Sequence, residues 1–571
     1  MSTTLADIPR LQAQCDAIRA THQAARSAAP FTRMWMNPPD SESSNGLIFR
    51  GIIADSVSAR YGWRKNVPQQ ATFRLRVEHY LAQWVISIPN DPNAKKNCVI
   101  TIDEMGGALR WSGILHHWQY TRDENNNHFV DITFVDDLQF LMFYLGPPNP
   151  LLPIDVFQFP RVLPIFGPSK WAISVMILMQ LIRINGNIWT IPDDPFDVGS
   201  WSGLFDWSSW QVLIKCNPFD LDDSSLWTIL ATRMTRIDQV IADALEDAQL
   251  VLRYRRILTV DGETCPVDGV PVCRNGALVL EVVDQSGYWG PDGTATGGGI
   301  AGGFARTVQQ FLSGFVEDTQ VLSTDPEVLA PDAYYEPGYL GTMPGHPWVV
   351  VRDSIYTSMQ TSHLTWSPAT AVSVIVGGDN PMMDQLMELT IEAIGSAIGY
   401  FLLAGFSELG SIAETVIAPF LQGCIFAWIQ WKNASRAIDL GWVHLEEVYQ
   451  SGAENNAWSL SSVAALRSGF LSSKSETSHQ FTMGAGGQYL PGLHFSIGDR
   501  IGSTVMYLGS TIFVDQVEIM ERSWDWSAGQ APDWKVTVGN NKAAQSQAER
   551  SARLLDKGLE TMKNLGVHLL S

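Results

Sequence analysis

The stretch IGDRIGSTVMYLGSTIFVDQVEIMERSWDW, residues 497–526, decides the class of fold. Gly498-Asp499 and Gly509-Ser510 supply turn formers that divide it into short segments. Within those segments the apolar residues recur mostly at spacings of two or four, which is typical of strands with one buried face: Ile501, Val505, Tyr507, Ile512, Val514 and Val517. The stretch contains no catalytic motif. It therefore predicts an antiparallel β-meander with a structural role.

The same strand pattern occupies the N-terminal part of the chain. Residues 1–30 carry apolar residues three and four apart and predict a short amphipathic helix. Residues 31–145 contain several strand-like segments between turns rich in Pro, Asn and Asp. We predict one antiparallel β-barrel at 31–145 and a second at 456–541. The fold class is thus α+β and mostly β.

The middle of the chain is predicted to be more mixed. Residues 146–256 read as a proline- and tryptophan-rich linker with helices, since seven prolines between Gly146 and Trp171 prevent a regular helix there. Within this range we expect a helix over 169–184, and a long amphipathic helix from Asp222 to about Ile257. Residues 257–380 predict an additional α/β domain.

Residues 381–455 are predicted to form an inserted apolar helical hairpin. The segments 393–407 and 415–431 contain no charged residue. Both are shorter than the roughly 20 residues that an untilted bilayer span needs, so they do not predict permanent membrane helices. Helices that are apolar on nearly every face need burial from several sides, either in one domain or between subunits. Their apolar surface is supplied by Phe401, Leu402, Leu403, Phe406, Phe420, Phe426 and Trp428.

Residues 542–571 predict a C-terminal amphipathic helix. Two rows of residues seven apart form a short heptad seam: Ala548, Leu555 and Met562, and Ala552, Leu559 and Gly566. A seam of this length associates weakly by itself, so we expect the helix to dock on a neighbouring subunit.

Charge and cysteine content exclude several classes of protein. The net charge of −21 argues against a surface that coats nucleic acid, because neutralising phosphates needs clustered Lys and Arg. The first residues lack a basic region followed by an apolar core, so no secretory signal is expected. The six cysteines form no CxxC pair. Only Cys265 and Cys273 are close enough to form a disulfide, and a reducing compartment favours free thiols.

Catalytic and cofactor motifs are weak. A GxGxxG at Gly297, Gly299 and Gly302 follows turn formers instead of a strand, so no dinucleotide or other cofactor is expected. His116 and His117 are adjacent in a predicted strand, which would point the two rings to opposite faces and prevent them from chelating one metal ion. We therefore predict no catalytic residue, no metal and no enzymatic activity.

The chain contains 21 tryptophans, and they leave one alternative open. The segment WSGLFDWSSW, with Trp201, Trp207 and Trp210, could stack sugars on its indole faces. Large aromatic residues equally anchor cores and protein interfaces. A glycan-binding protein is thus one alternative, and a hydrolase with two carboxylates across a cleft is another that no motif supports.

Four segments in this order resemble one family of proteins: GLIFRGIIADSV and TFRLRVEHYLAQWV near the N-terminus, TAVSVIVGGDNP before the apolar insertion, and HFSIGDRIGSTVMYLGSTIFVDQVE near the C-terminus. They resemble the tail-tip hub, or minor tail, proteins of long-tailed phages of actinobacteria. Those proteins are similar in fold to the baseplate hubs of contractile-tailed phages. The resemblance covers residues from about 47 to 540.

The resemblance implies a structural virion protein at the distal tail tip, assembled in the host cytoplasm. It implies a homotrimer whose two tail-tube-like barrels per chain give a pseudo-sixfold ring that opens for DNA ejection. Implied partners are the distal tail protein ring, the tape-measure protein and other minor tail proteins. DNA would pass through the lumen without specific binding. The apolar hairpin would plug the channel, with possible contact to the host membrane during infection.

Overall fold

We describe the fold from a computed structural model of the chain. The described residues are 8–39, 46–154, 163–286, 347–377, 428–449, 469–506, 508 and 511–540, with gaps at 188, 193–194, 197–200, 202–205, 221, 356, 471–472 and 485–487, together with 299–300, 302–303, 306–307 and 320–323. The α-helices in these ranges are α1 Ile8–Ser27, α2 Tyr80–Ser87, α3 Ser169–Asn185, α4 Ile237–Asp247 and α5 Ala434–Leu440. The helix predicted near the N-terminus and the one predicted from residue 169 are both present.

Strands make up most of the regular structure. The N-terminal strands are β1 Phe31–Met36, β2 Ile48–Ile53, β3 Ser58–Arg64, β4 Gln70–Arg76, β5 Cys98–Glu104, β6 Leu109–Arg122 and β7 His128–Asp136. The middle strands are β8 Leu145–Gly146, β9 Leu163–Pro168, β10 Val212–Ile214, β11 Trp227–Thr232, β12 Thr235–Arg236, β13 Leu250–Ile257 and β14 Ala277–Asp284. The remaining strands are β15 Gln320–Ser323, β16 Val350–Val351, β17 Met359–Ser367, β18 Ala371–Gly377, β19 Trp428–Lys432, β20 Leu445–Tyr449, β21 Glu476–Gly484, β22 Arg500–Ser503, β23 Thr511–Asp525 and β24 Gln530–Val538.

The stretch 497–526 folds as a meander, as the spacing of its apolar residues predicts. It contains β22 and the long strand β23, which pair antiparallel. Gly498 has a φ of +80°, which a glycine adopts without strain, and so it forms the turn before β22. The second predicted turn, Gly509-Ser510, lies outside the described residues. In the second half of β23, Met520, Arg522 and Trp524 alternate toward the core.

One large sheet unites the N-terminal and C-terminal strands. Its order is β17-β21-β24-β23-β3-β4-β7-β6-β5-β1-β2, with β15 and β22 added along β23 and β16 along β22. The link is the antiparallel pair β3–β23, in which Tyr61 lies opposite Arg522. The two regions that the sequence assigned to separate barrels thus share one sheet, and among the described strands the ladder closes no barrel. The sequence could not indicate this pairing, because each region carries its own complete strand pattern.

A single core lies against this sheet. In β4 the residues Ala71, Phe73 and Leu75 are buried and alternate with exposed or half-buried neighbours, which is the period-2 pattern read from the sequence. The same core contains Trp111 from β6 and Phe481 from β21. Residues from both ends of the chain therefore fill one apolar layer.

The segment from about 137 to 286 builds a smaller unit with its own core. Helix α3 is buried on several faces and packs with α4 beside the parallel pair β10–β14 and the antiparallel pair β13–β14. The predicted long helix from Asp222 to Ile257 is wrong, since this stretch folds as β11, β12, α4 and β13. Met234 and Gln249 have positive φ values of 63° and 54°, which end the elements on either side of α4.

A third, small sheet has the order β19-β18-β20. The prediction of helix up to residue 455 is wrong for its last part, because residues 428–449 form β19, α5 and β20. Trp428 to Lys432 pairs antiparallel with β18, and these alternating apolar and polar residues satisfy a strand as readily as a helix. Residues 381–427, which contain the rest of the predicted hairpin, lie outside the described residues.

Candidate functional site

Five buried charged residues and two more exposed acidic partners lie where the large sheet meets the smaller unit. We call this set the charged junction: buried Arg33, Asp103, Arg110, Asp137 and Arg256, with half-buried Glu263 and exposed Asp261. Its members come from β1, β5, β6 and β13 and from the turns that follow β7 and β13. A buried charge is tolerated only where it is paired and hydrogen-bonded, so this set fixes how the two units meet.

Asp103 is at the centre of the first half of the charged junction. Arg33 donates from Nη2 to its Oδ2 at 2.6 Å, and Arg110 donates from Nε to its Oδ1 at 2.5 Å. Arg33 also donates from Nη1 to Asp261 Oδ2 at 2.7 Å, and Arg110 from Nη1 to Glu263 Oε2 at 2.8 Å. Asp261 and Glu263 belong to the smaller unit, so each arginine bridges the two units.

The second half of the charged junction is the bidentate pair Arg256–Asp137. Arg256 donates from Nη2 to Asp137 Oδ1 at 2.6 Å and from Nε to Oδ2 at 2.7 Å. Ser112 on β6 donates its hydroxyl to the same carboxylate at 2.5 Å. Asp137 is fully buried and Arg256 nearly so. Two parallel hydrogen bonds set the orientation as well as the distance of the two chain segments.

A separate buried triad lies within the large sheet itself. Glu104 accepts hydrogen bonds from the Tyr61 hydroxyl and from Arg522 Nη1. Burial raises the pKa of the Glu104 carboxyl, although Arg522 and Tyr61 both favour its charged form. Burial also raises the pKa of Tyr61 well above its usual value, so the hydroxyl keeps its proton and remains a donor. Arg522 donates further to Ala28 O at 2.9 Å.

A cavity of about 540 Å³ opens beside the charged junction. Most of its cationic lining residues are paired: Lys215 contacts Glu281 at 2.9 Å, and Arg253 contacts Asp499 at 3.1 Å, whereas Arg64 is exposed and forms no ion pair among the described residues. Arg110 is held by the carboxylates described above. Because the paired charges neutralise each other within the protein, the geometry suits packing between units better than capture of a charged ligand.

The apolar segment, residues 378–427, begins and ends at the small sheet β19-β18-β20. Gly377, the last residue of β18, lies opposite Trp428, the first residue of β19. The chain therefore leaves for residues 378–427 and comes back at one point. Arg436 of α5 fixes this base, because it is buried and donates to Ala371 O at 2.9 Å and Ser473 Oγ at 3.0 Å. Burial lowers the pKa of Arg436 to about 10.

The same base exposes apolar side chains. Trp442 is 96% exposed and Val443 is 82% exposed, and both lie just after helix α5, of which only Arg436 is buried. We call the group the base patch: Ile438, Trp442, Val443 and Leu445. Exposed apolar residues grouped in this way mark contact surfaces more often than scattered ones do.

The candidate residues named from the sequence lie in different parts of the structure. Phe401, Leu402, Leu403, Phe406, Phe420 and Phe426 lie outside the described residues, and Trp428 begins β19. Trp207 and Trp210 stack on each other with ring centroids 4.9 Å apart, and Trp210 is buried in the core of the smaller unit. Trp201 is 45% exposed and donates its indole N–H to Pro195 O at 3.0 Å. The three indoles thus lie in different environments.

Two predictions about small polar groups have outcomes here. His116 and His117 were predicted to point apart, and this is wrong: their Nδ1 atoms are 2.7 Å apart, because a β-bulge shifts the register of β6 between Leu115 and His117. No group of three or more possible metal ligands occurs among the described residues. Cys265 and Cys273 are free thiols in the structure, and burial raises the pKa of Cys273 to about 12.

The charged junction and the buried triad of Tyr61, Glu104 and Arg522 were both missed by the sequence argument, although part of the signal for the triad was present. Arg522 has the same strand parity as Met520 and Trp524, which places a charge on a core-facing row. Such a residue needs a buried partner of opposite charge. Its partner cannot be identified from the sequence, since Glu104 belongs to another part of the chain. No described helix is long and apolar enough to cross a membrane.

Comparison with known proteins now gives the class. The model of the family described as Siphovirus ReqiPepy6 Gp37-like protein matches residues 44–540, and the chain belongs to this family. The chain is 29% identical over 518 residues to the minor tail protein Gp28 of Mycobacterium phage D29, an alignment that covers 82% of this chain and 85% of the relative. It is also 29% identical over 516 residues to the minor tail protein Gp28 of Mycobacterium phage L5, with the same coverage. The resemblance to minor tail proteins read from the sequence is confirmed.

Solved structures give more distant likenesses. The tail protein from Neisseria meningitidis MC58 is 8% identical with a TM-score of 0.38, covering 90% of this chain and 97% of that one. The 43 kDa tail protein of prophage MuSo2 from Shewanella oneidensis is 7% identical with a TM-score of 0.37, covering 90% of this chain and all of that one. Because these scores are low, the assignment depends on the family match and the two sequence relatives.

Proposed function

We propose that three copies of the chain form a ring that closes the distal end of the phage tail tube and opens for DNA ejection. The observation that carries the ring is the pair of unlike edges of the large sheet. Strands β17 and β2 end the sheet, and each pairs on one side only among the described strands. Joining unlike edges of successive copies is a head-to-tail contact, which closes into a ring when the rotation allows it.

The edge at β17 is the more open of the two. It is nine residues long, and Trp366 on it is 65% exposed. At β2, by contrast, the Tyr80 hydroxyl donates to Ile52 O at 3.2 Å and accepts from Ile52 N at 3.0 Å, which occupies part of that edge. A long exposed edge strand is a site for pairing with another chain unless it is covered. Assembly would cover it here.

The charged junction supports a structural role in such a ring. Two of its ion pairs, Arg33–Asp261 and Arg110–Glu263, join the large sheet to the smaller unit, and together with the apolar contacts of β13 they specify the relative placement of the two by direction as well as distance. A subunit of a ring needs a fixed shape to repeat the same contact around the axis. The net charge of −21 per chain suits a lumen through which DNA passes without binding.

The apolar segment is proposed as the channel plug. Gly377 and Trp428 are paired in adjacent strands, and residues 378–427 connect them. These residues are therefore an insertion between two neighbouring strands. The base patch adjoins this point and adds apolar surface. A plug formed by Leu403, Phe406 and their apolar neighbours could leave the channel without unfolding the sheet, and contact with the host membrane would be a further step.

Assembly at the tail tip gives the proposed partners: the distal tail protein ring, the tape-measure protein and other minor tail proteins. We propose that the chain is not an enzyme, in keeping with relatives named minor tail proteins. Binding of host-surface glycans is the alternative, and it depends on exposed indoles such as Trp201. A tail-associated hydrolase is a weaker alternative, since Glu263 and Glu281 beside the cavity are both in ion pairs.

Native mass spectrometry of the purified chain, together with electron microscopy of the tail tip, tests the ring. We expect three copies around an axial channel, and two, four or six copies per ring would contradict the proposal. Trp366→Lys on the β17 edge should lower ring formation, because an edge lysine opposes strand pairing. Trp526→Lys is the matched control, since Trp526 is 57% exposed but lies after the end of β23, away from both edges.

A further inference from the structure

Helix α1 projects from the fold with almost no burial. Between Ile8 and Ala25 every side chain is exposed except His22 and Ala25, which are half-buried. Its ring contact with the body joins His22 to His494, with centroids 4.7 Å apart. An isolated helix of 20 residues is only marginally stable in water, so a helix that projects in this way calls for a partner along its length.

The exposed face of α1 has the spacing of a coiled coil. The intervals along it alternate between three and four residues, which is the a and d pattern of three heptads: Ile8, Leu11, Cys15, Ile18, His22 and Ala25. Ile8, Leu11 and Ile18 are 50%, 44% and 55% exposed. Four of the six side chains that a coiled coil buries, Ile8 to Ile18, are therefore left in solvent by this chain. We call these six residues the α1 seam.

The charges of α1 permit contact between identical helices. The α1 seam contains no Lys, Arg, Asp or Glu. Of the flanking e and g positions, Gln12, Gln14 and Thr21 are neutral, and Arg19 forms an ion pair with Asp16 of its own helix at 3.2 Å. In a parallel arrangement Gln14 of one helix faces Arg19 of the next, so no like charges oppose each other.

The size of the α1 seam decides which partner fits. Its four free residues, Ile8 to Ile18, offer far less than the roughly 800 Å² per partner that a stable interface buries. A freely diffusing protein would bind too weakly to such a seam. Copies that are already held side by side meet at high effective concentration, and a short seam then suffices. This points to a second copy of the same chain.

We propose that α1 packs in parallel and in register against α1 of neighbouring copies of this chain. The inference builds on the proposed ring, in which cyclic symmetry points all copies the same way. Isoleucine at both an a and a d position, Ile8 and Ile18, suits three strands. In that register Cys15 of one copy faces Cys15 of the next. The α1 bundle thus adds a second contact to the ring, apart from the sheet edges.

Oxidative cross-linking of the assembled protein tests the register. Mild oxidation with copper phenanthroline should join chains through Cys15, and since each disulfide uses two of three copies, about two thirds of the chains should run as dimers on a non-reducing gel. Cys15→Ser should abolish the product. Cys98 and Cys273 are buried, and Cys216 and Cys265 are half-buried, so they give little background. Cys424 lies outside the described residues, and all variants therefore also carry Cys424→Ser.

Cysteines moved off the seam provide the matched control. In the Cys15→Ser background, Ala13→Cys or Ala20→Cys places the thiol on the opposite side of α1, where cross-linking should be at least tenfold weaker. Equal cross-linking from these positions would overturn the in-register seam. Trimers without any Cys15 product would overturn the inference and leave the ring intact. Efficient Cys15 cross-linking of a chain that is only dimeric would keep the seam and overturn the trimer, and a monomer without cross-linking would overturn both.

Discussion

Arg522 and Glu104 lie 418 positions apart in the sequence, and their side chains form an ion pair that is almost fully buried. Arg522 comes from β23 and Glu104 from the end of β5, so the pair ties the C-terminal part of the large sheet to the N-terminal part. Tyr61 donates a further hydrogen bond to Glu104, and Ala28 O accepts one from Arg522. The continuity of the sheet thus depends on charges as well as on backbone pairing.

Arg522→Met should destabilise the protein by about 3–5 kcal/mol, because it leaves the Glu104 carboxyl buried without its cation. Denaturant unfolding followed by tryptophan fluorescence measures this loss. Arg60→Ala is the control: Arg60 also joins β3 to β23, through Glu521 at 2.8 Å, but it is 71% exposed and should change the free energy of unfolding by less than about 1 kcal/mol. Adding Glu104→Gln to Arg522→Met should recover part of the loss, and a larger loss in the double variant would contradict this account.

His479 should make the protein sensitive to acid. Burial lowers its pKa to about 4, and its two ring nitrogens contact Ser503 Oγ at 2.6 Å and Ser362 Oγ at 2.8 Å. The folded pKa lies below the unfolded value near 6.5, so the neutral ring contributes stability that is present above pH 6.5 and is lost as the pH falls toward 4. The loss is on the order of 2 kcal/mol.

Unfolding of His479→Gln and of the unsubstituted chain at several pH values between 7 and 4 checks this prediction. The variant should be less stable at pH 7 and should lose less stability on acidification. His117→Gln, at an exposed position on β6, should keep the pH dependence of the unsubstituted chain. Parallel pH profiles for all three proteins would show that another group causes the acid sensitivity.

Arg436→Met should loosen the base of the apolar segment. The substitution removes the hydrogen bonds to Ala371 O, Ser473 Oγ and Phe470 O and costs about 3 kcal/mol locally. Hydrogen exchange should rise in β18, β19 and β20 while the large sheet stays protected. Lys432→Met is the control, since Lys432 is 55% exposed and lies 3.7 Å from Glu446. Unchanged exchange in these three strands would contradict the anchoring role.

Leu403→Asp combined with Phe406→Asp should cause particles to lose DNA early, because two buried carboxylates oppose the packing of an apolar plug. The fraction of genome that is sensitive to nuclease in purified particles measures this, together with the titre. Val260→Asp with Val272→Asp is the control, as both valines are 65% exposed and should tolerate a charge. Particles that infect normally with both substitutions at 403 and 406 would rule out the plug.

The local sequence pattern predicted most strands and helices. It did not predict strand pairing between residues that are far apart in the chain. The alternation of Ala71, Phe73 and Leu75 is a property of seven residues, so β4 can be read directly. The pairing of β3 with β23 joins residues such as Arg60 and Glu521, 461 positions apart. The sequence of either strand does not identify the other as its partner. Two barrels were therefore predicted where one sheet exists.

The candidate site was predicted less well than the fold, for a physical reason. In the sequence, Arg33, Asp103 and Arg110 look like the polar residues that alternate along any half-buried strand. They prove to be buried because a second unit covers that face of the sheet. The base of the apolar segment was misread as helix, since Trp428 to Lys432 acquires its strand form by pairing with β18.

The β3–β23 pair also dictates when the protein can finish folding. Strand β3 emerges early in synthesis, but its partner β23 begins only at Thr511. At roughly 5–20 residues per second, the ribosome leaves that side of β3 without its native neighbour for tens of seconds. A chain that stops before residue 511 keeps the edge open and is prone to aggregate. Translation products that end before residue 511 therefore cannot complete the large sheet, so the fold itself selects against early termination.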